Sequence, residues 1–146
     1  MAPRQLMRLL LDTNVVVAGL LWSGHSRTLM SSATDETVSL CSSPTLIDEL
    51  HHTLTYPKFA KRVALFNTTP ANLVTPYSAL ATLIEPDQVP RVITSDPDDD
   101  HVSACAASAR AHLIVTGDQH LHNRGGQYQG IRIVTLAEAT AVIERL

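Results

Sequence analysis

The stretch Met7-Arg8-Leu9-Leu10-Leu11-Asp12-Thr13-Asn14 decides the fold. A short, nearly continuous apolar run, rather than a polar–apolar alternation, marks a strand covered on both faces, as in a parallel sheet flanked by helices. Asp12 then stands at the carboxyl end of that strand. Three further carboxylate motifs follow: Asp48-Glu49-Leu50, Asp98-Asp99-Asp100 and Thr116-Gly117-Asp118. Carboxylates gathered in one place raise one another's pKa unless a cation neutralises them. A divalent metal site accounts for such a set.

Working outward, Val15 to Leu21 begins a helix or a turn-rich loop that breaks at Ser23-Gly24, and Ser26 offers a cap for a helix over 27–33. Thr37 to Cys41 reads as a second strand. Ser43-Pro44 is a helix start, a capping hydroxyl before proline at the first helical position. Leu46, Ile47, Leu50 and Leu54 then share one stripe, with Glu49 at its border and Asp48 on the far side. A basic helix is expected over 58–66. Another starts at Thr69-Pro70 and runs to about Ile84, with Leu73, Tyr77, Leu80 and Leu83 on one face. A Pro- and Asp-rich connection over 85–97 leaves room for a short strand near 91–94. Asp98 or Asp99 caps a helix to Ala111 whose slim face is Val102, Cys105, Ala106 and Ala109. His112 to Thr116 and Ile131 to Thr135 are the remaining strands. A helix over 136–146, with Ala137, Ala141 and Val142 inward, closes the chain. Strands alternating with helices predict an α/β fold, a three-layer α/β/α sandwich around a mostly parallel sheet, in one domain spanning 1–146.

The bulk numbers agree with that class. A chain of 146 residues buries a substantial core, and 45% hydrophobic with 17% charged residues is ordinary for a globular domain. The formal charge of −3 argues against a nucleic-acid coat protein but leaves room for a nuclease with a local basic rim. Cys41 and Cys105 lack any C-x-x-C spacing and read as buried free thiols of a reducing compartment. No export signal is evident, and the apolar stretch at 15–22 is too short to span a bilayer, so the expected location is the cytoplasm, away from membranes.

Topology brings the four motifs together. Ligands of open parallel α/β sheets sit outside the carboxyl ends of the strands. Asp12 ends one strand and Asp118 lies just past another. Asp100 opens the helix that runs back to feed the strand ending at Thr116, so it starts on the same edge. Glu49 lies near the start of the helix after the second strand. Four carboxylates without cysteine or paired histidine make a hard oxygen site suited to Mg²⁺ or Mn²⁺. Such a site hydrolyses phosphodiesters by activating a water and stabilising charge on the phosphoryl oxygens.

In order, Leu-Leu-Asp-Thr-Asn-Val, Ser-Pro-Thr-Leu-Ile-Asp-Glu-Leu, Asp-Pro-Asp-Asp-Asp-His-Val, Leu-Ile-Val-Thr-Gly-Asp and Gly-Ile-Arg-Ile-Val-Thr-Leu-Ala-Glu resemble the PIN-domain family, and within it the VapC-like toxins of prokaryotic toxin–antitoxin systems. The resemblance covers nearly the whole chain. It implies a metal-dependent endoribonuclease acting on single-stranded RNA, with Asp12, Glu49, Asp100 and Asp118 as catalytic metal ligands. Asp99 competes with Asp100 for the third position. It also implies that Thr13, Asn14 and Thr116 support the site by hydrogen bonding, and that the protein is a homodimer with a small antitoxin partner. The family often carries another Asp two residues after the fourth acidic position, where this chain has His120.

Other readings weigh against this one. An aspartyl-phosphate phosphatase usually needs a second Asp where Asn14 stands. A phosphoacceptor domain would need a Lys after a late strand, and none follows Thr116 or Thr135. An inactive PIN-like RNA-binding module would have no need to retain four carboxylates. The histidines, including His120 and His122, read as surface residues. Lys58, Lys61, Arg62 and Arg27 are candidates for RNA phosphates, and Trp22 and Tyr56 for base stacking, with core or interface packing as the plainer alternative.

Overall fold

The computed structural model describes residues 6–86, 97–122 and 126–146, and for 97–100, 119 and 120 it describes the backbone alone. The decisive stretch forms strand β1 (Met7–Leu11) at the centre of a parallel sheet. Its neighbours are β2 (Val38–Ser42) and β4 (Leu113–Val115), both parallel, with Leu9 opposite Leu40 on one side and Leu113 on the other. Outside β2 lies the two-residue strand β3 (Thr82–Leu83). Outside β4 lie β6 (Ile131–Val134) and the antiparallel edge strand β5 (Gln127–Tyr128). The order among the described residues is β3-β2-β1-β4-β6-β5.

Side chains on successive residues of a strand point to opposite faces, and here both faces are covered. Leu9, Leu11, Leu40, Leu113, Val115 and Val134 point to one layer. It is built from α1 (Thr13–Leu21), α2 (His25–Thr34), α5 (Pro70–Leu80), α8 (Leu136–Glu144) and the later turns of α3 (Pro44–Leu54). Leu10, Cys41, Ile114, Ile131 and Ile133 point the other way, against Leu46, α6 (Pro97–Ala109) and Leu121 of the one-turn α7 (Gln119–His122). The result is the three-layer α/β/α sandwich that the strand pattern predicts. Each fully buried leucine contributes about 1.5–3 kcal/mol. Both thiols are buried and free. Burial raises Cys41, although Arg8 opposes the shift, and pushes Cys105 up to about 12, so neither is a thiolate at neutral pH.

Local chemistry explains most boundaries. The Ser43 hydroxyl accepts from the Leu46 amide and Pro44 opens α3, as its sequence predicts. Thr69 caps α5 in the same manner, and Thr135 and Glu138 form a reciprocal capping box on α8. Helix α4 (Pro57–Leu65) follows Tyr56 and buries only Val63.

Four expectations need correction. Helix α2 starts at His25 because the chain turns at Gly24 (φ 123°), a conformation glycine adopts readily, so Ser26 is buried in the first turn and does not cap it. Helix α5 stops at Leu80, since Thr82 and Leu83 pair with Cys41 and Ser42, which leaves Leu83 exposed. Helix α6 begins at Pro97, which places Asp98, Asp99 and Asp100 inside its first turn, and it ends at Ala109. In α8 Ala139 and Thr140 are buried and Val142 packs against the core as expected, but Ala137 is exposed. The strand expected near 91–94 falls outside the described residues.

Candidate active site

The sheet reverses its winding between β1 and β4. From β1 the chain builds outward through β2 and β3, then crosses to β4 on the opposite side. The carboxyl ends of β1 and β4 therefore flank the crevice where open α/β sheets hold ligands. Asp12 ends β1 and Thr116 ends β4, and the Asp12 amide donates to the Val115 carbonyl at 3.0 Å.

Thr116 ties this edge together. It is fully buried, and each of its polar groups is engaged. Its hydroxyl donates to Asp12 Oδ2 at 2.7 Å and accepts from the Asp118 amide at 3.0 Å. Its amide donates to the Val134 carbonyl, and its carbonyl lies 2.7 Å from His122 Nε2. A carbonyl can only accept, so Nε2 carries the proton. The other Asp12 oxygen accepts from the Thr13 amide at 2.8 Å. Asp12 caps α1, where the helix dipole favours a negative charge.

Helices α1, α3, α6 and α8 all begin at this edge. Three follow directly on strands with parallel orientation, and α6 must run away from the edge to feed β4. Their positive ends share the edge that carries Asp12 and Asp118 and favour negative charge there. The same arrangement suits the phosphates of a substrate.

The backbone places each expected site residue on an element or strand end. Asp12 and Asp118 are half-buried and joined through Thr116. Glu49 is half-buried on the second turn of α3, and Asp48 beside it faces solvent. Asp99 and Asp100 lie in the first turn of α6, whose side chains up to residue 100 are not described. Thr13 is buried, and Asn14 is exposed on α1. Among the described residues, no group of three or more His, Cys, Asp or Glu side chains is placed to hold a metal ion. The available donors are nonetheless hard oxygens, with both thiols withdrawn into the core, and they fit Mg²⁺ or Mn²⁺ better than zinc.

A PIN domain family model matches residues 8–120, well over half the chain and inclusive of all four carboxylate motifs. The chain belongs to the PIN-domain family. No curated protein matches it at a meaningful level. PIN domains are generally nucleases and usually use divalent metals.

His122 is the member of this PIN site that sequence reasoning misplaced. It is half-buried and holds the Thr116 carbonyl, not a surface histidine. Its amide meets the Asp118 carbonyl at 3.3 Å, as in one helical turn. The i, i+4 spacing from Asp118 was visible in the sequence, but without α7 it pointed to nothing.

Proposed function

We propose that this PIN domain is a Mg²⁺- or Mn²⁺-dependent endoribonuclease that hydrolyses phosphodiester bonds of single-stranded RNA. The observation that carries the proposal is the hydrogen-bonded chain from Asp12 through Thr116 to Asp118 at the switch point of the sheet. It fixes the carboxylate at the end of the central strand and the loop that carries its partner.

Asp12, Glu49, Asp100 and Asp118 would hold the metal, with Asp99 as the alternative to Asp100. When bound, such an ion polarises the phosphodiester and eases ionisation of a water. The protein's own contribution is orientation. The Thr13 amide and the Thr116 hydroxyl set the plane of the Asp12 carboxylate, and His122 fixes the backbone from which Thr116 reaches it. The helix starts at this edge offset the negative charge of an incoming phosphate. No side chain of the set is a dedicated general base.

The similarity to VapC-like toxins supports a role as the toxin of a toxin–antitoxin pair, working in the cytoplasm as a homodimer restrained by a small antitoxin. Among the described residues no helix is long and apolar enough to cross a membrane. The test is incubation of structured RNA, with exposed single-stranded loops, with and without Mg²⁺ or Mn²⁺, beside Asp12→Asn. Metal-dependent cutting that disappears in the variant is the expected result. Equal cutting by the variant overturns the assignment.

A further inference from the structure

Far from the carboxylates in character, a second surface collects aromatic rings and cations. From Leu50 to Ile84 the sequence contains no Asp or Glu, while Lys58, Lys61 and Arg62 all fall within α4. This stretch carries +3, which leaves −6 on the rest of a chain whose total is −3. Around the cations stand exposed rings. Trp22, just past α1, is 39% exposed, Tyr56 41% and Phe66 50%. The Arg62 guanidinium lies 5.0 Å from the ring centres of both Trp22 and Phe66. Trp22 meets Phe59 edge to face at 6.2 Å, and Lys58 lies 5.0 Å over Phe59. Arg62 is held in place because its Nε donates to the Leu21 carbonyl at the end of α1. Exposed rings clustered in one patch mark an interaction surface where scattered ones would not.

We propose that α4 together with Trp22 is a binding face for single-stranded RNA, on which bases stack against Trp22 and Phe66 while Lys58 and Lys61 meet the phosphates. The choice of RNA as the polymer rests on the nuclease reading above. Alternating aromatic faces and cations are what sequence-tolerant single-strand binding requires. An apolar protein partner would have no use for the three cations of α4, in a stretch without Asp or Glu from Leu50 to Ile84, and a polyanion does. The face also connects to the catalytic edge. Glu49 and His52 lie one turn apart on α3, and His52 contacts Tyr56 at 5.3 Å between ring centres, just before α4. Helix α3 begins at the carboxyl edge and ends beside this face, so a strand lying on α4 would have α3 as its route toward that edge.

Trp22 is the chain's single tryptophan, so its emission reports this face alone. The experiment titrates the full chain, in excess EDTA to prevent cutting, with a short unstructured oligoribonucleotide. Trp22 emission and the anisotropy of a fluorescein on the RNA are followed together. The expected result is saturable quenching of Trp22 that tracks the anisotropy. Phe66→Ala is expected to weaken binding about ten-fold. In Lys58→Gln/Lys61→Gln the slope of log affinity against log salt is expected to fall by about 1.4, from roughly 0.7 per phosphate contact. Thermal unfolding of each variant verifies its fold. RNA binding that leaves Trp22 emission unchanged, or that is the same in the lysine variant, overturns the proposal. So does Trp22 emission that depends on protein concentration alone and ignores RNA, which would make the face an interface between copies. Metal-dependent cutting with a silent Trp22 refutes this face and spares the nuclease reading. Quenching of Trp22 by RNA in a protein that never cuts does the reverse.

Discussion

The carboxyl edge of β1 and β4 and the outer surface of α4 are the two chemically dense parts of this molecule, and they are built in opposite ways. At the edge the chemistry turns on one withdrawn residue, the fully buried Thr116, which uses its amide, carbonyl and hydroxyl at once. On α4, long side chains lie over exposed rings, and Val63 is the helix's one buried residue. Geometry at the first place is set by the backbone of the sheet. At the second it is set by long side chains packed over one another, with Arg62 tied to the Leu21 carbonyl. Damage at the edge should therefore reach both stability and chemistry, while damage on α4 should stay local.

The sharpest break in that contrast comes from Asp12→Asn. Asparagine caps a helix about as well as aspartate, so the unfolding free energy should change by about 1 kcal/mol or less. Metal-dependent RNA cleavage should fall by about 10²–10³-fold, the scale for losing one preorganised charged group. Urea denaturation beside a cleavage assay decides it, and a large stability loss with modest loss of cutting would make Asp12 mainly structural. Thr116→Val comes next. It keeps the shape but strips partners from Asp12 Oδ2 and the Asp118 amide, at a cost of about 2 kcal/mol in urea denaturation, with cleavage reduced about 10–100-fold. Val63→Ala tests the other region and should cost about 1.5 kcal/mol. Hydrogen exchange should show the loss confined to α4, and faster exchange in β1 or β4 would show that the two regions are coupled.

The smallest effect belongs to Glu138, which shares the carboxyl edge but is fully exposed. Its hydrogen bonds to the Thr135 amide and hydroxyl hold its carboxyl below the usual value near 4.5. The folded protein therefore releases this proton more readily than the unfolded chain, and the associated stability is present above that value and lost as pH falls through the folded one. Glu138→Gln keeps a capping side chain and removes the charge. Wild type should exceed it in stability at neutral pH, and the gap should close in strong acid.

Legibility in the sequence followed the same divide. Leu9-Leu10-Leu11 before Asp12 announced a strand covered on both faces, and Ser43-Pro44 announced α3, because burial and capping act on neighbouring residues. Strands β3 and β5, two residues each, exist only through pairing with β2 and β6, which no local pattern encodes. Ala137 and Ala139 are chemically identical and lie about 200° apart around the helix, so which of the two faces the core left no trace in composition. Convergence of the carboxylate motifs on one edge is an expectation from topology, and among the described residues Asp12, Glu49 and Asp118 form no group placed to hold a metal ion. The grip of His122 on Thr116 could not be expected, since it depends on a single turn of helix between them.

Asp12 and Thr116 meet across 104 positions of sequence. During synthesis β1 gains β2 soon after it is made, but its other flank stays bare until residues 113–115 have been made. A polypeptide arrested before that point has no assembled crevice and carries a raw, sticky margin along its middle strand. Assembly of the crevice is thus deferred until residues 113–116 have been made, and shorter products should be prone to clump.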